Sequence, residues 1–275
     1  MTNNPDSPAA GRTPVLSVEH LTKSFTLHAI NRSVESLRSV SFTLYEGQHL
    51  ALAGASGAGK SSLLRCVTRN YLPDSGRVVF HDRTEDGSET DVDLTALDDR
   101  SLARLRGRRI GYVSQFLKAP PRQGPLRLVT NAALRRGLDL ELAPAERHEK
   151  AREAAKQSLL RLGIEERLWD VDCSVLSGGE RQRVNLAAGT VSPPRLLLLD
   201  EPVSALDPHN RALALEVIED LHRHDVTVLA IYHDMAIIRR VANRVLLMQD
   251  GVIAADGSPG DVLRAGHAAL EELVA

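Results

Sequence analysis

Residues 54–61 have the composition and spacing of a phosphate-binding loop. They read Gly-Ala-Ser-Gly-Ala-Gly-Lys-Ser and fit the pattern G-x-x-x-x-G-K-[ST]. Glycines let successive backbone N–H groups turn inward around a triphosphate, and the helix that follows adds the positive end of its dipole. Lys60 would bring a point charge to the β- and γ-phosphates, and the Ser61 hydroxyl is placed to ligate Mg²⁺. We predict a nucleoside-triphosphate site formed by Gly54, Ala55, Ser56, Gly57, Ala58, Gly59, Lys60, Ser61 and Ser62.

Two carboxylates, Asp200 and Glu201, end the apolar run 196–199. A wholly apolar strand is typical of a parallel sheet covered on both faces, and open α/β sheets bind ligands at the carboxyl ends of their strands. We expect Asp200 to serve Mg²⁺, directly or through a water, and Glu201 to orient and deprotonate a water. Because neighbours along a strand point to opposite faces, the two side chains should point to different sides. A helix N-cap is the weaker alternative, since Pro202 follows at once.

His233 and Phe25 are further candidates, each with a structural alternative. His233 follows the apolar strand 226–231, which places it at the same sheet edge as Gly54 and Asp200. A phosphate contact is favoured there over a purely structural histidine. Phe25 lies 35 residues before Lys60 and is a candidate to stack on an adenine ring, with a core phenylalanine as the alternative.

The stretch Ser177-Gly178-Gly179-Glu180 opens a predicted helix. Ser177 and Glu180 have the spacing of a capping box, which by itself accounts for both residues. It does not account for two consecutive glycines, which suit the close approach of an anion to the start of a helix.

The elements expected to position these residues form an α/β fold. Predicted strands that alternate in polarity form a small antiparallel sheet beside the nucleotide site, and apolar strands form a parallel core. Residues 115–176 are mostly helical, which indicates a helical subdomain inserted into the α/β domain. The predicted segments are strands 15–21, 40–44, 50–53, 77–81, 110–114, 196–201 and 226–231, a surface hairpin loop at 82–91, an arginine-rich helix at 97–109, helices 145–162, 208–223 and 263–274, and a hairpin around Asp250-Gly251.

Composition limits the classes of function. The chain has 275 residues, 43% of them apolar, and a net charge of −2, so nothing indicates nucleic-acid binding by overall charge. The arginines of the 97–109 helix are better explained by a solvated face than by a nucleic-acid patch. Two distant cysteines favour a reducing cytoplasm, and no apolar run approaches the ~20 residues of a membrane helix. We expect residues 1–14 to be a disordered tail, and any membrane role to run through a partner.

Five motifs in this order resemble those of the ATP-binding cassette (ABC) ATPases: 54–61, Gln115, 176–180, 196–201 with Ser204-Ala205-Leu206-Asp207, and His233. The resemblance runs from Val15 to about Gly257. It implies a P-loop NTPase of the α/β class, with a parallel core sheet, a small antiparallel β-subdomain and an inserted α-helical subdomain. The expected divisions are a tail at 1–14, the ATP-binding domain at 15–258 with its helical subdomain at about 116–176, and a C-terminal helix at 259–275.

The resemblance also implies roles and partners. Two ATP molecules would lie between two subunits, each touching the phosphate loop of one chain and Ser177, Gly178, Gly179 and Glu180 of the other. Gln115 would link Mg²⁺ and the attacking water to the helical subdomain, so the implied metal ligands are Ser61, Gln115 and Asp200. Phe25 would stack on adenine, Glu201 would be the catalytic base and His233 would sense the γ-phosphate. The partner subunit would be a second copy or another ABC ATPase.

Narrower stretches resemble the PhnL family, the accessory ATPases of the bacterial phosphonate carbon–phosphorus (C–P) lyase system. These stretches are 25–28, 70–74, 113–117, 166–169 and 177–185. The resemblance implies C–P lyase subunits as partners. Two alternatives stay open: the motor of a membrane ABC transporter, and an ATP-gated assembly module that does not hydrolyse ATP. Intact Lys60, Asp200, Glu201 and His233 count against the last.

Overall fold

The chain divides into two units, and the structure, a computed structural model, describes residues 12–27, 32–83, 88–115, 117, 119–137 and 141–264. The first unit comprises residues up to Leu102 together with those from Thr227, and the second comprises Ala103–Val226. Most of the predicted N-terminal tail and most of the predicted C-terminal helix lie outside the described residues.

Strands and helices alternate along most of the chain. The strands are β1 (Pro14–Leu27), β2 (Arg32–Tyr45), β3 (His49–Ala53), β4 (Ser75–Arg83), β5 (Glu89–Asp93), β6 (Ile110–Val113), β7 (Leu196–Asp200), β8 (Thr227–Ile231), β9 (Arg244–Gln249) and β10 (Val252–Gly257). The helices are α1 (Lys60–Val67), α2 (Asp99–Arg108), α3 (Pro125–Arg135), α4 (Pro144–Arg161), α5 (Gly178–Thr190), α6 (Pro208–Arg223), α7 (Met235–Val241) and α8 (Pro259–Arg264).

An antiparallel sheet in the order β2-β1-β4-β5 lies in the first unit. It confirms the predicted antiparallel subdomain. β4 and β5 pair as the two strands of the predicted hairpin. The loop is shorter than the predicted 82–91 at both ends, because Asp82 pairs with Thr90 and Arg83 with Glu89 in the β4–β5 ladder. The backbone hydrogen bonds of the hairpin outweigh the low strand propensity of its acidic residues.

Parallel pairing forms the core of the same unit. β3 pairs in parallel with β8 and with β9, and every residue of β3 and β8 is buried. β10 returns antiparallel to β9 through Asp250 and Gly251, with φ of 48° and 81°. Positive φ at both central residues is the signature of a type I′ hairpin turn, so the predicted hairpin is confirmed.

The second unit combines a parallel strand pair with helices. β6 pairs in parallel with β7, whose five residues are all buried. α4 matches the predicted 145–162 helix to within a residue and buries Ala151, Ala155 and Leu159. α3, α4 and α5 contact one another. Arg136, after α3, donates to the carbonyls of Ala188, Gly189 and Ser192 at the end of α5, and burial lowers its pKa to about 10.

The surface helix and the cysteines complete the description. α2 buries only Leu102, as expected of a helix with a solvated face. Cys66 and Cys173 are buried free thiols, and burial raises the pKa of each to about 11. No helix within the described ranges is both long and apolar enough to cross a bilayer.

Candidate active site

The loop between β3 and α1 requires glycine by its shape. Gly54, Gly57 and Gly59 have φ of 134°, 82° and 103°, which L side chains rarely adopt. A Cβ on Gly54 would lie 2.2 Å from the carbonyl oxygen of Met248, and one on Gly59 would lie 2.4 Å from that of Ser36. The loop therefore approaches neighbouring backbone too closely for any side chain at these two positions. Ser56 and Gly57 lie at its exposed tip.

Lys60 is the first residue of α1 and is only 5% exposed. Its Nζ donates to the carbonyl oxygens of Gly54 at 2.6 Å and Ala55 at 2.8 Å, which keeps the ammonium against the loop. Ser61 and Ser62 are half-buried, and Ser62 Oγ accepts a hydrogen bond from Ser36 Oγ at 2.7 Å. The first turn of α1 contains no acidic side chain, so no carboxylate competes with an anion at its positive end.

The two carboxylates after β7 have different partners. Tyr112 Oη donates to Asp200 Oδ2 at 3.0 Å, and Gln115 Nε2 donates to Glu201 Oε2 at 3.1 Å. β7 ends at Asp200, and Glu201 has a φ of 52°, in the left-handed region. We expected alternation along the strand to point the two side chains to different sides, and this reason is wrong because Glu201 lies beyond the end of β7. The backbone turn at Glu201 sets the direction of its side chain.

Sequence reasoning missed the residues that hold this segment in place. Gln182, on α5, is 2% exposed; its Nε2 donates to the Glu201 carbonyl oxygen at 2.6 Å and its Oε1 accepts from Ala205 N at 3.1 Å. Asn185, one turn further, donates from Nδ2 to the Ser114 carbonyl oxygen at 2.7 Å. The available signal was a pair of amide side chains on one face of the helix that follows the two glycines.

The start of α5 contains the predicted capping box. Ser177 Oγ accepts from Glu180 N at 3.3 Å, and Glu180 Oε2 accepts from Ser177 N at 2.7 Å. These bonds hold the pKa of Glu180 below its usual range. Gly178 and Gly179 have no positive φ, and a Cβ on either would meet no contact closer than 3.6 Å. Within the described residues, neither packing nor backbone conformation requires these glycines.

Phe25 is half-buried near the end of β1, so it is not a core residue. Its ring contacts the Tyr71 ring edge-on at a centroid distance of 5.1 Å. Base stacking by Phe25 stays a prediction.

His233 is exposed between two anchored neighbours. Tyr232, before it, is 2% exposed and its Oη is hydrogen-bonded to His49 Nε2 at 3.0 Å; burial raises the pKa of Tyr232 above its usual range. Asp234, after it, caps α7 by accepting from Ala236 N at 2.7 Å. A histidine held on both sides with its ring exposed suits contact with a ligand.

Each unit thus presents part of the predicted set. The first unit contains the glycine loop, Phe25 and His233, and the second contains Gln115, Asp200, Glu201 and the capped start of α5. In the part of the chain that the structure describes, no cluster of three or more His, Cys, Asp or Glu side chains could hold a metal. Ser61 in the first unit, and Gln115 and Asp200 in the second, are oxygen donors of the kind that Mg²⁺ takes, and their binding of one ion stays a prediction.

Comparison with known proteins gives matches along most of the chain. A family model described as "ABC transporter" matches residues 37–204. The phosphonates import ATP-binding protein PhnC of Bdellovibrio bacteriovorus is 30% identical, with 90% of each chain covered. The arginine transport ATP-binding protein ArtM of Bacillus subtilis is 32% identical over 89% of this chain and 92% of its own. The methionine import ATP-binding protein MetN 1 of Pseudomonas fluorescens is 34% identical over 86% of this chain, which spans only 66% of that relative's length.

Solved structures share the fold. The ATP-binding cassette MJ0796, in a dimeric post-hydrolysis state bound to ADP and phosphate, superposes with a TM-score of 0.73 at 25% identity, covering 89% of this chain and 98% of its own. A second dimeric structure of MJ0796, described as a bacterial ABC transporter cassette, gives a TM-score of 0.74 at 26% identity over the same shares.

Proposed function

Because this chain belongs to the ABC transporter family of ATPases, we propose that it binds Mg-ATP, hydrolyses it between two subunits and drives a partner assembly. The observation that carries the proposal is the shape of the glycine loop. A Cβ on Gly54 or Gly59 would collide with neighbouring backbone, and the buried Lys60 lies against the loop, so that the loop forms a cradle of backbone groups. Such a cradle excludes side chains from the space around its backbone N–H groups, which are the donors that bind an anion in a loop of this kind.

Binding follows from this cradle. The backbone N–H groups of residues 54–59 and the start of α1 surround the phosphates, and Lys60 exchanges its bonds with the Gly54 and Ala55 carbonyls for bonds to the β- and γ-phosphates. Phe25 stacks on the adenine. When bound, Mg²⁺ neutralises charge on the phosphates, and the residues that would hold it are Ser61, Gln115 and Asp200.

Hydrolysis needs a base that is oriented before the water arrives. Glu201 accepts the proton of the attacking water, while Gln115 donates to Glu201 Oε2 and Gln182 holds the Glu201 backbone. The exposed ring of His233 contacts the γ-phosphate. Since little covalent chemistry falls to the protein in phosphoryl transfer, positioning and charge supply most of the rate.

The second subunit is proposed from the start of α5. Gly178 and Gly179 are unexplained within the described chain, which fits the approach of a partner-bound γ-phosphate to the N–H groups that Ser177 and Glu180 keep in helical geometry. The dimeric state of MJ0796, bound to ADP and phosphate, supports an assembly of two subunits. The partner of this chain in the assembly is a second copy or another ABC ATPase.

For the work that hydrolysis drives, we favour the motor subunit of a membrane import complex that acts from the cytoplasm through a permease. The similar PhnC, ArtM and MetN proteins are named as import or transport ATPases. The second candidate is service to a phosphonate C–P lyase assembly, which the PhnL-like stretches at 70–74 and 177–185 favour.

Affinity purification of the natively expressed chain from membranes solubilised in mild detergent distinguishes the two. The import proposal expects a permease in stoichiometric amount and ATPase activity that rises in its presence. Capture of C–P lyase subunits without a permease would reverse the order of the two candidates. Absence of Mg²⁺-dependent phosphate release by the purified chain, alone and with captured partners, would refute ATP hydrolysis itself.

A further inference from the structure

Phe25, near the end of β1, and Tyr71, in the turn after α1, form an aromatic contact within the first unit. The Phe25 and Tyr71 rings lie 5.1 Å apart between centroids with an interplanar angle of 69°. This is the edge-to-face geometry that aromatic pairs prefer, and it constrains how each ring can rotate.

Tyr71 is itself anchored to α1, the helix that begins at Lys60. Its Oη accepts a hydrogen bond from Arg65 Nη1 at 2.7 Å, and the Arg65 guanidinium lies over the ring at 5.4 Å. The Tyr71 backbone N–H donates to the Arg65 carbonyl oxygen at 3.0 Å. A continuous set of contacts therefore connects the phosphate-loop helix to the Phe25 ring.

A second tie fixes the strand that contains Phe25. Asp74 accepts hydrogen bonds from Lys23 Nζ at 2.8 Å and from Ser24 N at 2.6 Å, and donates from its own N–H to the Thr22 carbonyl oxygen at 2.9 Å. The Lys23 ammonium lies 5.4 Å from the Phe25 ring centroid. The turn after α1 thus holds both the backbone and the ring environment of Phe25.

An open pocket of about 470 Å³ lies beside the Phe25–Tyr71 ring pair. Its lining consists of Phe25, Tyr71 and Leu72 together with the polar or charged residues Lys23, Arg69, Asn70 and Asp99. Leu72 is 57% exposed. A pocket of this size, with two aromatic rings and several polar side chains in its lining, can hold a planar nucleobase.

We propose that Tyr71 is a positioning residue for nucleobase binding: anchored by Arg65, it holds Phe25 in the orientation that stacks on the base. The inference rests on the proposed ATP-binding function. It assigns a role to the 70–74 segment, which the binding of phosphates leaves unused.

The test compares ATP with inorganic tripolyphosphate, which has the phosphates but no base, by titration calorimetry with Mg²⁺. Tyr71→Ala should weaken ATP by about two- to twelvefold, the range of an aromatic pair, and leave tripolyphosphate unchanged. Tyr71→Phe keeps the ring and should therefore lose less ATP affinity than Tyr71→Ala. Tyr45→Ala is the matched control, because Tyr45 is also half-buried and lies at the opposite end of the β1–β2 ladder.

A double-mutant comparison separates positioning from direct contact. In a Phe25→Ala background, Tyr71→Ala should cause no further loss of ATP affinity. An additive loss, equal weakening of ATP and tripolyphosphate, or no change in either, overturns the role of Tyr71. If Phe25→Ala alone leaves ATP affinity intact, base stacking fails while phosphate binding stands. If the wild type binds neither ligand, the proposed function fails together with the inference.

Discussion

Glu201 combines a constrained backbone with a side chain that accepts a hydrogen bond from an amide. Its φ of 52° is costly for a residue other than glycine, roughly 1–3 kcal/mol, and persists only where surrounding contacts enforce it. The Gln182 bond to its carbonyl oxygen is one such contact, and the Gln115 bond to Oε2 orients the carboxylate. At the residue scale, the base is held by its neighbours before substrate arrives.

Glu201→Gln should therefore lower the hydrolysis rate by about 10²–10⁴, the usual contribution of a general base, while ATP affinity is retained. Glutamine keeps the size and the hydrogen-bonding capacity but has no basic oxygen. Phosphate release in single-turnover reactions and ATP titration measure the two quantities. Glu216→Gln, an exposed carboxylate on α6, is the control and should hydrolyse normally. A Glu201→Gln protein with the wild-type rate would show that another group accepts the proton.

At the element scale, α5 supports both the segment that contains the proposed base, Glu201, and the segment that contains Gln115. Gln182 holds the carbonyl of Glu201, and Asn185 holds the carbonyl of Ser114, next to Gln115. Both amides lie on the buried face of one helix, whose start the capping box keeps in helical geometry. A movement of α5 would displace Gln115 and Glu201 together.

Gln182→Ala should reduce the hydrolysis rate by roughly 10- to 100-fold, because small displacements of catalytic groups are costly, while ATP affinity stays within a factor of about two. Steady-state kinetics and titration calorimetry separate these effects. Gln157→Ala removes the same side chain from the exposed face of α4 and should leave both unchanged. Equal losses of rate in the two variants would mean that the Gln182 bond does not position Glu201.

At the scale of the whole molecule, assembly is proposed to depend on ATP that persists between two subunits. With Mg-ATP, Glu201→Gln should accumulate as a dimer, because ATP stays bound when hydrolysis is blocked. Light scattering after size exclusion measures the mass. The double variant Lys60→Ala/Glu201→Gln should stay monomeric, since removal of the Lys60 charge weakens binding of the phosphates. If Glu201→Gln is monomeric at saturating ATP, the partner is a different subunit rather than a second copy.

Acid stability is a second property of the whole chain. In both units, hydrogen bonds to carboxylates hold pKa values below their usual range: Lys23 bonds to Asp74, Asn210 to Asp207 and Arg161 to Asp220. A carboxylate with a lowered pKa stabilises the folded state above its unfolded pKa, near 4, and loses that contribution as pH falls through its folded pKa.

These groups should therefore change the midpoint temperature of unfolding little between about pH 7 and 5. Below about pH 4 the midpoint should move to lower temperature. Circular dichroism across this range measures it. Asp207→Asn keeps a side chain that can cap α6 but cannot titrate, so the acid-induced loss should be smaller. An unchanged acid profile in that variant would remove Asp207 from the account.

Local patterns in the chain determined much of this molecule. The glycine loop, the apolar β3, β7 and β8, the capping box at Ser177 and the turn at Asp250-Gly251 follow from conformational preferences and hydrogen bonds among residues close in sequence. These preferences act before distant contacts form, so the order of elements and the candidate residues were predictable. The ends of the 82–91 loop were not predictable from local patterns, because the backbone hydrogen bonds between β4 and β5 override the weak strand propensity of these residues.

Contacts between distant residues were decided only by tertiary structure. Gln182 reaches Glu201 across 19 positions and Tyr112 reaches Asp200 across 88, and no local pattern encodes either bond. The direction of the Glu201 side chain depends on a left-handed backbone that its neighbours enforce, and the glycine at 59 is required by the carbonyl of Ser36. The amino-acid sequence determines which reactive groups are present, whereas their positions depend on packing between segments far apart in sequence.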